Sequence, residues 1–416
     1  MTIRTFFLLM GGFALAGCSQ PADPEQSKEP AADAGATEYE VSAAGIEMRP
    51  RPEDPADFPE YVDYLVEVSY PRSAEERALD APIQAKFAGQ HNIDSIFISA
   101  PGWPAGFSME RYDEYVQHTV ENGFTALSNT VTNGGESAKV VADRMVEFSQ
   151  FIEDRSDRYM QIWTVDDFEA TRNGERIGIF YNFQSMDAFE EDLANVQKFY
   201  DLGLRTALFA YNQTNAYAAG SNVNRSDDDI GLTDLGAEVI REMNRVGMVV
   251  DCSHTSDKTC IEAAAITEKP MIMSHSNVAA LQPIPRNNSD EAMQAVAATG
   301  GAICINFIGG FLNPEGDARP ARIAEHMEYV KNLVGAEAVC AGSDYVYNYA
   351  DSLIMILNDP EKYPPESGYA TPSHMGMPGE IWGAVGYLQD HYNWTDEEII
   401  GLLGGNLMRV YAANWE

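Results

Sequence analysis

Gly247-Met248-Val249-Val250-Asp251-Cys252-Ser253-His254 and, soon after it, Pro270-Met271-Ile272-Met273-Ser274-His275-Ser276-Asn277 share one design: a short apolar run that ends in a polar, histidine-bearing tip. A run of this length with little alternation suits a strand covered on both faces, as in a parallel sheet. The pattern recurs along the chain. Strands are predicted over Asn92 to Ser99, Phe124 to Thr132, Arg176 to Gln184, Arg205 to Asn212, Gly247 to His254, Pro270 to Ser276, Gly301 to Ile308 and Ala338 to Asp344. Helical periodicity lies between and after them, for example over Arg111 to Asn122, Lys139 to Asp154, Ala188 to Leu202, Asp234 to Val246, Asp290 to Thr299, Arg322 to Val334 and Pro378 to Tyr392. Gly123, Gly203, Gly247 and Gly300 sit where a preceding helix would end. Regular strand–helix alternation means parallel strands joined by helical crossovers, and eight such units close a (β/α)8 TIM barrel. A doubly wound open sheet is the competing arrangement, but no G-x-G-x-x-G or P-loop follows any of the strands.

The rest of the chain bounds what such a barrel can do. Among 416 residues, 64 are Asp or Glu and 27 are Lys or Arg, a formal net charge of −37. Charge of that sign repels phosphate backbones, so nucleic acid is excluded as a partner. Residues 1–17 read as a secretory signal, with Arg4 in the n-region and an apolar stretch from Phe6 to Leu15. Leu15-Ala16-Gly17-Cys18 resembles a bacterial lipobox, so Cys18 is expected to be acylated and to anchor the protein in the periplasm by lipid alone. Ser19 after the cysteine points to the outer membrane. Residues 18–45, rich in Pro, Ala, Glu and Asp, read as a disordered tether. Residues 46–84 are expected to form an extension packed on the barrel, and residues 85–416 the barrel itself.

Active sites of such barrels lie at the C-terminal ends of the strands. Three of the expected strand ends carry His254, His275 and Asp344. Two imidazoles can hold a Zn2+ without cancelling its charge, and a carboxylate beside them can take a proton from water. The remaining histidines lack this setting: His91 precedes the first strand, His118 and His326 are expected on helix surfaces, and His374 and His391 lie in the C-terminal segment.

Longer motifs make the comparison specific. Val249 to Thr255, Pro270 to Asn277, Arg286-Asn287-Asn288-Ser289-Asp290-Glu291 and Ala341-Gly342-Ser343-Asp344 resemble the membrane dipeptidase (renal dipeptidase, peptidase M19) family. So do Phe199 to Arg205, Tyr211-Asn212, and the ending Gly404 to Val410. The resemblance implies a (β/α)8 barrel of the metal-dependent hydrolase type, a two-zinc centre and hydrolysis of dipeptides or small peptide-like substrates. It assigns His254 and His275 to one zinc, Asp344 to the catalytic water or the substrate amine, and Arg286 to the substrate carboxylate, with Tyr211 and Asn212 also facing substrate. A homodimer, common in the family, is left open.

The chain also departs from the pattern. Where the family carries a His-x-Asp pair at the end of the first strand, this chain has Ile96 and Ile98; His91 and Asp94 lie too early to replace them. The position of the metal-bridging glutamate is occupied by Gln184, a weaker ligand, and a substrate-binding histidine by Tyr211. A shift of register would bring Asp187 there instead. One zinc, held by His254, His275 and a third ligand such as Gln184 or Asp344, is therefore the expectation, with three outcomes open: a one-metal hydrolase, a repurposed isomerase or acid/base enzyme with one metal or none, and a non-catalytic binding protein.

Cys252, Cys260, Cys304 and Cys340 are expected as inert core thiols, with Cys252 lining the lower barrel interior. The acidic run Asp227-Asp228-Asp229 reads as a solvated loop rather than a calcium site. Residues 345–377 are expected to form either a lid, with Tyr345, Tyr347 and Tyr349 walling the pocket, or a subunit interface.

Overall fold

Nine parallel strands form a single sheet in the computed structural model, which describes residues 39–97, 109–346 and 349–415. They are β1 (Ile93–Phe97), β2 (Ala126–Thr132), β3 (Tyr159–Gln161), β4 (Ile177–Phe183), β5 (Leu204–Leu208), β6 (Val249–Asp251), β7 (Ile272–Ser276), β8 (Ala302–Ile305) and β9 (Val339–Ala341). Eight run in the order β1-β2-β4-β5-β6-β7-β8-β9, and β3 pairs with β4 beside that path. The seam between β9 and β1 is spanned by side chains. Ser95 Oγ donates to the Ala341 and Ser274 carbonyls, and Asp94 accepts from the Ser343 backbone N–H at 2.9 Å and from its hydroxyl. The chain is a (β/α)8 barrel.

The helices that matter to the site are α1 (Phe58–Val68), α2 (Asp257–Ile266), α3 (Tyr349–Asn358) and α4 (Asn406–Asn414). Strand alternation sorts the side chains into two shells. Val250 and Met273 face outward into a core shared with the surrounding helices. Val249, Ile272, Ala302, Cys304 and Cys340 face inward and pack with Leu407, Val410 and Tyr411 of α4, which fill the lower barrel. One step further along β6 and β7, the inward positions turn polar at Asp251 and Ser274. The apolar floor thus supports a polar layer below the mouth.

Three details differ from the sequence reading. β3 is unforeseen, because three residues give no measurable period. The expected helix over Ala188 to Leu202 is broken, since Glu190 and Glu191 adopt left-handed backbone (φ 51° and 57°) and the helix begins only at Ala194. Residues 55–86, where the sequence reading places no helix, are mostly helical; in α1 Pro59 occupies the first turn, where a missing N–H costs nothing. Phe58, Tyr61 and Leu65 of α1 pack against Leu353, Ile356 and Leu357 of α3 and against Tyr211, Tyr363 and Tyr369. This layer roofs the barrel mouth.

The expectation of free core cysteines is overturned. Cys252 turns outward and is bonded to Cys260 of α2, and Cys304 is bonded to Cys340, its direct partner in the β8–β9 register. Closing loops with sequence separations of 8 and 36 removes chain entropy from the unfolded state, an effect of roughly 2–4 kcal/mol each. The signal segment and Cys18 lie outside the described residues. No described helix is long and apolar enough to cross a membrane.

Candidate active site

The strand tips of β5, β6 and β9 end on residues that are not glycine yet adopt left-handed backbone: Asn212 (φ 61°), His254 (φ 60°) and Asp344 (φ 54°). Such conformations cost on the order of 1–3 kcal/mol and persist where the surroundings enforce them. All three side chains are buried.

His254 and His275 meet with their Nε2 atoms 2.7 Å apart. Their hydrogen-bond partners decide which nitrogens carry protons. The Asn212 amide is oriented by its Nδ2, which donates to the Lys362 carbonyl at 2.9 Å, so its Oδ1 faces His254 Nδ1 at 2.6 Å as an acceptor. His254 Nδ1 must therefore hold the hydrogen. The Tyr369 hydroxyl (3.1 Å) and Ser221 Oγ (3.2 Å) donate to the same Asn212 oxygen. On the other ring, His275 Nδ1 lies 2.7 Å from Ser274 Oγ, whose own hydrogen goes to Asp251. Asp251 is held by the Ser253 and Ser274 backbone N–H groups at 2.9 and 3.1 Å. Ser274 Oγ is thus an acceptor for His275 Nδ1–H. With both Nδ1 atoms engaged from behind, the two Nε2 atoms are left to face each other.

Burial holds both imidazoles well below the usual histidine range, reinforced by the positive charge of Arg286, and for His254 also by His275 and Lys362. Two neutral imidazole nitrogens this close must share a proton or turn jointly towards a cation. A hydrogen bond to the far ring nitrogen fixes a histidine so that its other nitrogen can bind a metal.

Asp344, at the tip of β9, has its Oδ2 accepting from Asn306 Nδ2 at 2.8 Å. Burial raises its carboxyl to about 6, against the opposing pull of Arg286 and the Asn306 amide. Arg286 is itself buried: Nη2 donates to the His275 carbonyl at 2.8 Å, Nε has no partner, and the guanidinium lies 5.4 Å from the Phe311 ring centre. A buried guanidinium with an unused N–H is a receptor for an oxyanion. Tyr211 stacks on His254 with ring centres 4.1 Å apart, so it supports the histidine as well as facing the small cavity of about 50 Å³ that Asp344, Phe311, Tyr349 and Tyr369 also line.

Other residues singled out in the sequence have different surroundings. Gln184, past the end of β4, is buried with its Nε2 unpartnered. Asp187 is engaged by Asn215 Nδ2 at 2.9 Å. Ile96 is 1% exposed, and Ile98 lies outside the described residues. His326 is not on a helix surface but buried, between the Leu312 carbonyl (2.7 Å) and the Val278 N–H (3.2 Å). His374 is likewise buried, accepting from the Ala318 N–H at 3.2 Å. Tyr345 joins the outer core rather than the cavity wall, and Tyr347 is not described. Tyr369, Asn306 and Lys362 were missed because nothing in their local sequence marks them; the Tyr369–Asn212 contact joins residues 157 apart.

Known proteins resemble this chain in sequence and in fold. A family model described as membrane dipeptidase (peptidase family M19) matches residues 107–365. An uncharacterised dipeptidase of Schizosaccharomyces pombe is 31% identical over 252 residues, 59% of this chain and only 55% of the relative's own length. An amidohydrolase of known structure from Pseudomonas aeruginosa is 26% identical with a TM-score of 0.70, the match covering 81% of this chain and 99% of that one. A probable dipeptidase from the same organism shares the fold at 16% identity and a TM-score of 0.64, covering 82% and 99%. With well over half of its length matched and the paired histidines, Arg286 and Asp344 gathered at one barrel mouth, this chain belongs to the membrane dipeptidase family, peptidase family M19.

Proposed function

We propose that the protein is a hydrolase that holds one divalent cation, zinc, between His254 and His275 and cleaves the amide bond of dipeptides or small peptide-like substrates. The observation that carries this reading is the pair of Nε2 atoms 2.7 Å apart, with the Nδ1 of each ring engaged from behind. Imidazole nitrogens bind zinc at ~2.0–2.1 Å in tetrahedral sites, so one ion would accept both once the rings part to about 3.3 Å. We find no donor set for a second ion among the described residues. Among the described residues no group of three or more His, Cys, Asp or Glu converges on a metal position, Ile96 is a buried hydrocarbon, and Gln184 brings a neutral amide. The incomplete protein shell leaves coordination positions for solvent and substrate, which suits a catalytic rather than a structural site.

When bound, the ion supplies Lewis acidity, which acidifies water and polarises a carbonyl. The chain's own residues do the rest. Arg286 takes the substrate carboxylate through its free N–H. Asp344, ionised above about pH 6 and steered by Asn306, accepts the proton of the attacking water and returns it to the departing amine. The aromatic roof of Tyr211, Tyr363 and Tyr369 excludes bulk water and so strengthens these charge interactions. The reading is tested by amino-acid release from a panel of L-L and L-D dipeptides by the zinc-loaded protein. Release is expected, and a complete lack of turnover across the panel counts against it.

We place the protein in the bacterial periplasm, anchored to the membrane through Cys18. The lipobox-like motif supports this, as do the two disulfides, since such bonds persist in oxidising compartments. Mass spectrometry of protein taken from its native membranes is expected to show an acylated N-terminal Cys18 and both disulfides closed. An N-terminus upstream of Cys18, or four free thiols, would contradict the assignment.

A further inference from the structure

Lys362 is anomalous in so acidic a chain. Carboxylates outnumber basic side chains 64 to 27, yet among the described residues no carboxylate lies within ion-pair distance of the Lys362 ammonium. Asp359 and Asp187 act on it only through space. Its carbonyl is tied to Asn212 and its Nζ lies over aromatic rings, 5.1 Å from the centre of Tyr211 and 5.7 Å from that of Tyr363. Partial burial without a counter-ion disfavours the charged form, and its pKa is lowered accordingly. A cation kept at a barrel mouth, half-desolvated and unpaired, is poised for an anion that comes from outside.

Arg286 is the second unpaired cation of the same mouth. Both Arg286 and Lys362 are close enough to His254 for their charges to act on it, and the Tyr211 ring lies in the fields of Arg286 and Asp344 as well as under Lys362. Against Arg286 the mouth sets Asp344, which the catalytic reading already employs, while Asp359 and Asp187 reach Lys362 only through space. A substrate with a single carboxylate would satisfy Arg286 and leave Lys362 without a partner.

Resting on the dipeptidase reading above, we infer that Lys362 is a specificity-determining residue and that the preferred substrates carry two anionic groups: an α-carboxylate for Arg286 and an acidic side chain, aspartyl or glutamyl, for Lys362. A charge-assisted hydrogen bond in a partly desolvated setting discriminates by about tenfold or more against a neutral isostere.

The test compares glycyl-aspartate with glycyl-asparagine, each in L and D forms, on the zinc-loaded full chain. The ratio of kcat/KM values is expected to favour the aspartyl peptide at least about tenfold. In Lys362→Met and in Lys362→Gln the ratio falls towards one, and in Lys362→Arg it is kept. A wild-type ratio near one overturns the inference, and so does a preference that survives in both neutral variants. If no peptide is turned over, the dipeptidase reading fails by itself. The same peptides are then measured by calorimetry as ligands, where a tighter Kd for glycyl-aspartate that depends on Lys362 sustains the two-anion receptor and equal Kd values reject it.

Discussion

His275→Ala is expected to lower kcat/KM for dipeptide hydrolysis on the order of 10³-fold while leaving the fold intact. A metal's charge stabilisation amounts to several kcal/mol, and each ~1.4 kcal/mol is a factor of ten in rate. The variant removes one of the two nitrogens that converge at 2.7 Å, and a single imidazole cannot hold the ion. The backbone of β7 stays anchored, because the His275 N–H is held by Ser253 Oγ at 3.0 Å and its carbonyl by Arg286. Thermal melting alongside the kinetics separates loss of chemistry from loss of structure. A folded variant that retains activity within tenfold of the parent contradicts the role given to this pair.

The second large effect concerns pH. Because burial raises the Asp344 carboxyl to about 6, it is protonated and unable to act as a base below that value, and it ionises as the pH rises through it. Wild-type kcat/KM is therefore expected to fall on the acid side with a midpoint near pH 6. The histidines do not confuse the assignment, since burial keeps both neutral well below the usual histidine range. Asp344→Asn keeps the shape and can still pair with Asn306, but it loses proton transfer, a contribution of about 10²–10⁴-fold. The acid limb should vanish with it. A limb of unchanged midpoint in Asp344→Asn would assign the titration to another group.

Much of this was legible in the sequence, for definite reasons. The eight barrel strands are visible because parallel strands buried on both faces read as apolar runs, and strand-end residues are visible because the fold aims its tips at one place. His254, His275 and Asp344 thus follow from position and residue type, and Arg286 from the resemblance to the dipeptidase family. What supports them does not. That Asn212 orients His254, rather than serving substrate alone, depends on an amide fixed by a carbonyl 150 residues away. The Cys304–Cys340 bond depends on the register between β8 and β9, which composition does not encode. The helices before the barrel were obscured by prolines, which mark a break inside a helix but a beginning at its first turn. Lys362 shows its meaning only when its lack of a partner is seen.

The central claim, one ion held by two imidazoles, is tested most directly by metal stoichiometry. Apo protein reloaded with zinc and passed through a desalting column is expected to retain about one equivalent by elemental analysis, and His254→Ala and His275→Ala to retain essentially none. Two equivalents in the parent, or one equivalent that persists in both histidine variants, would contradict the account.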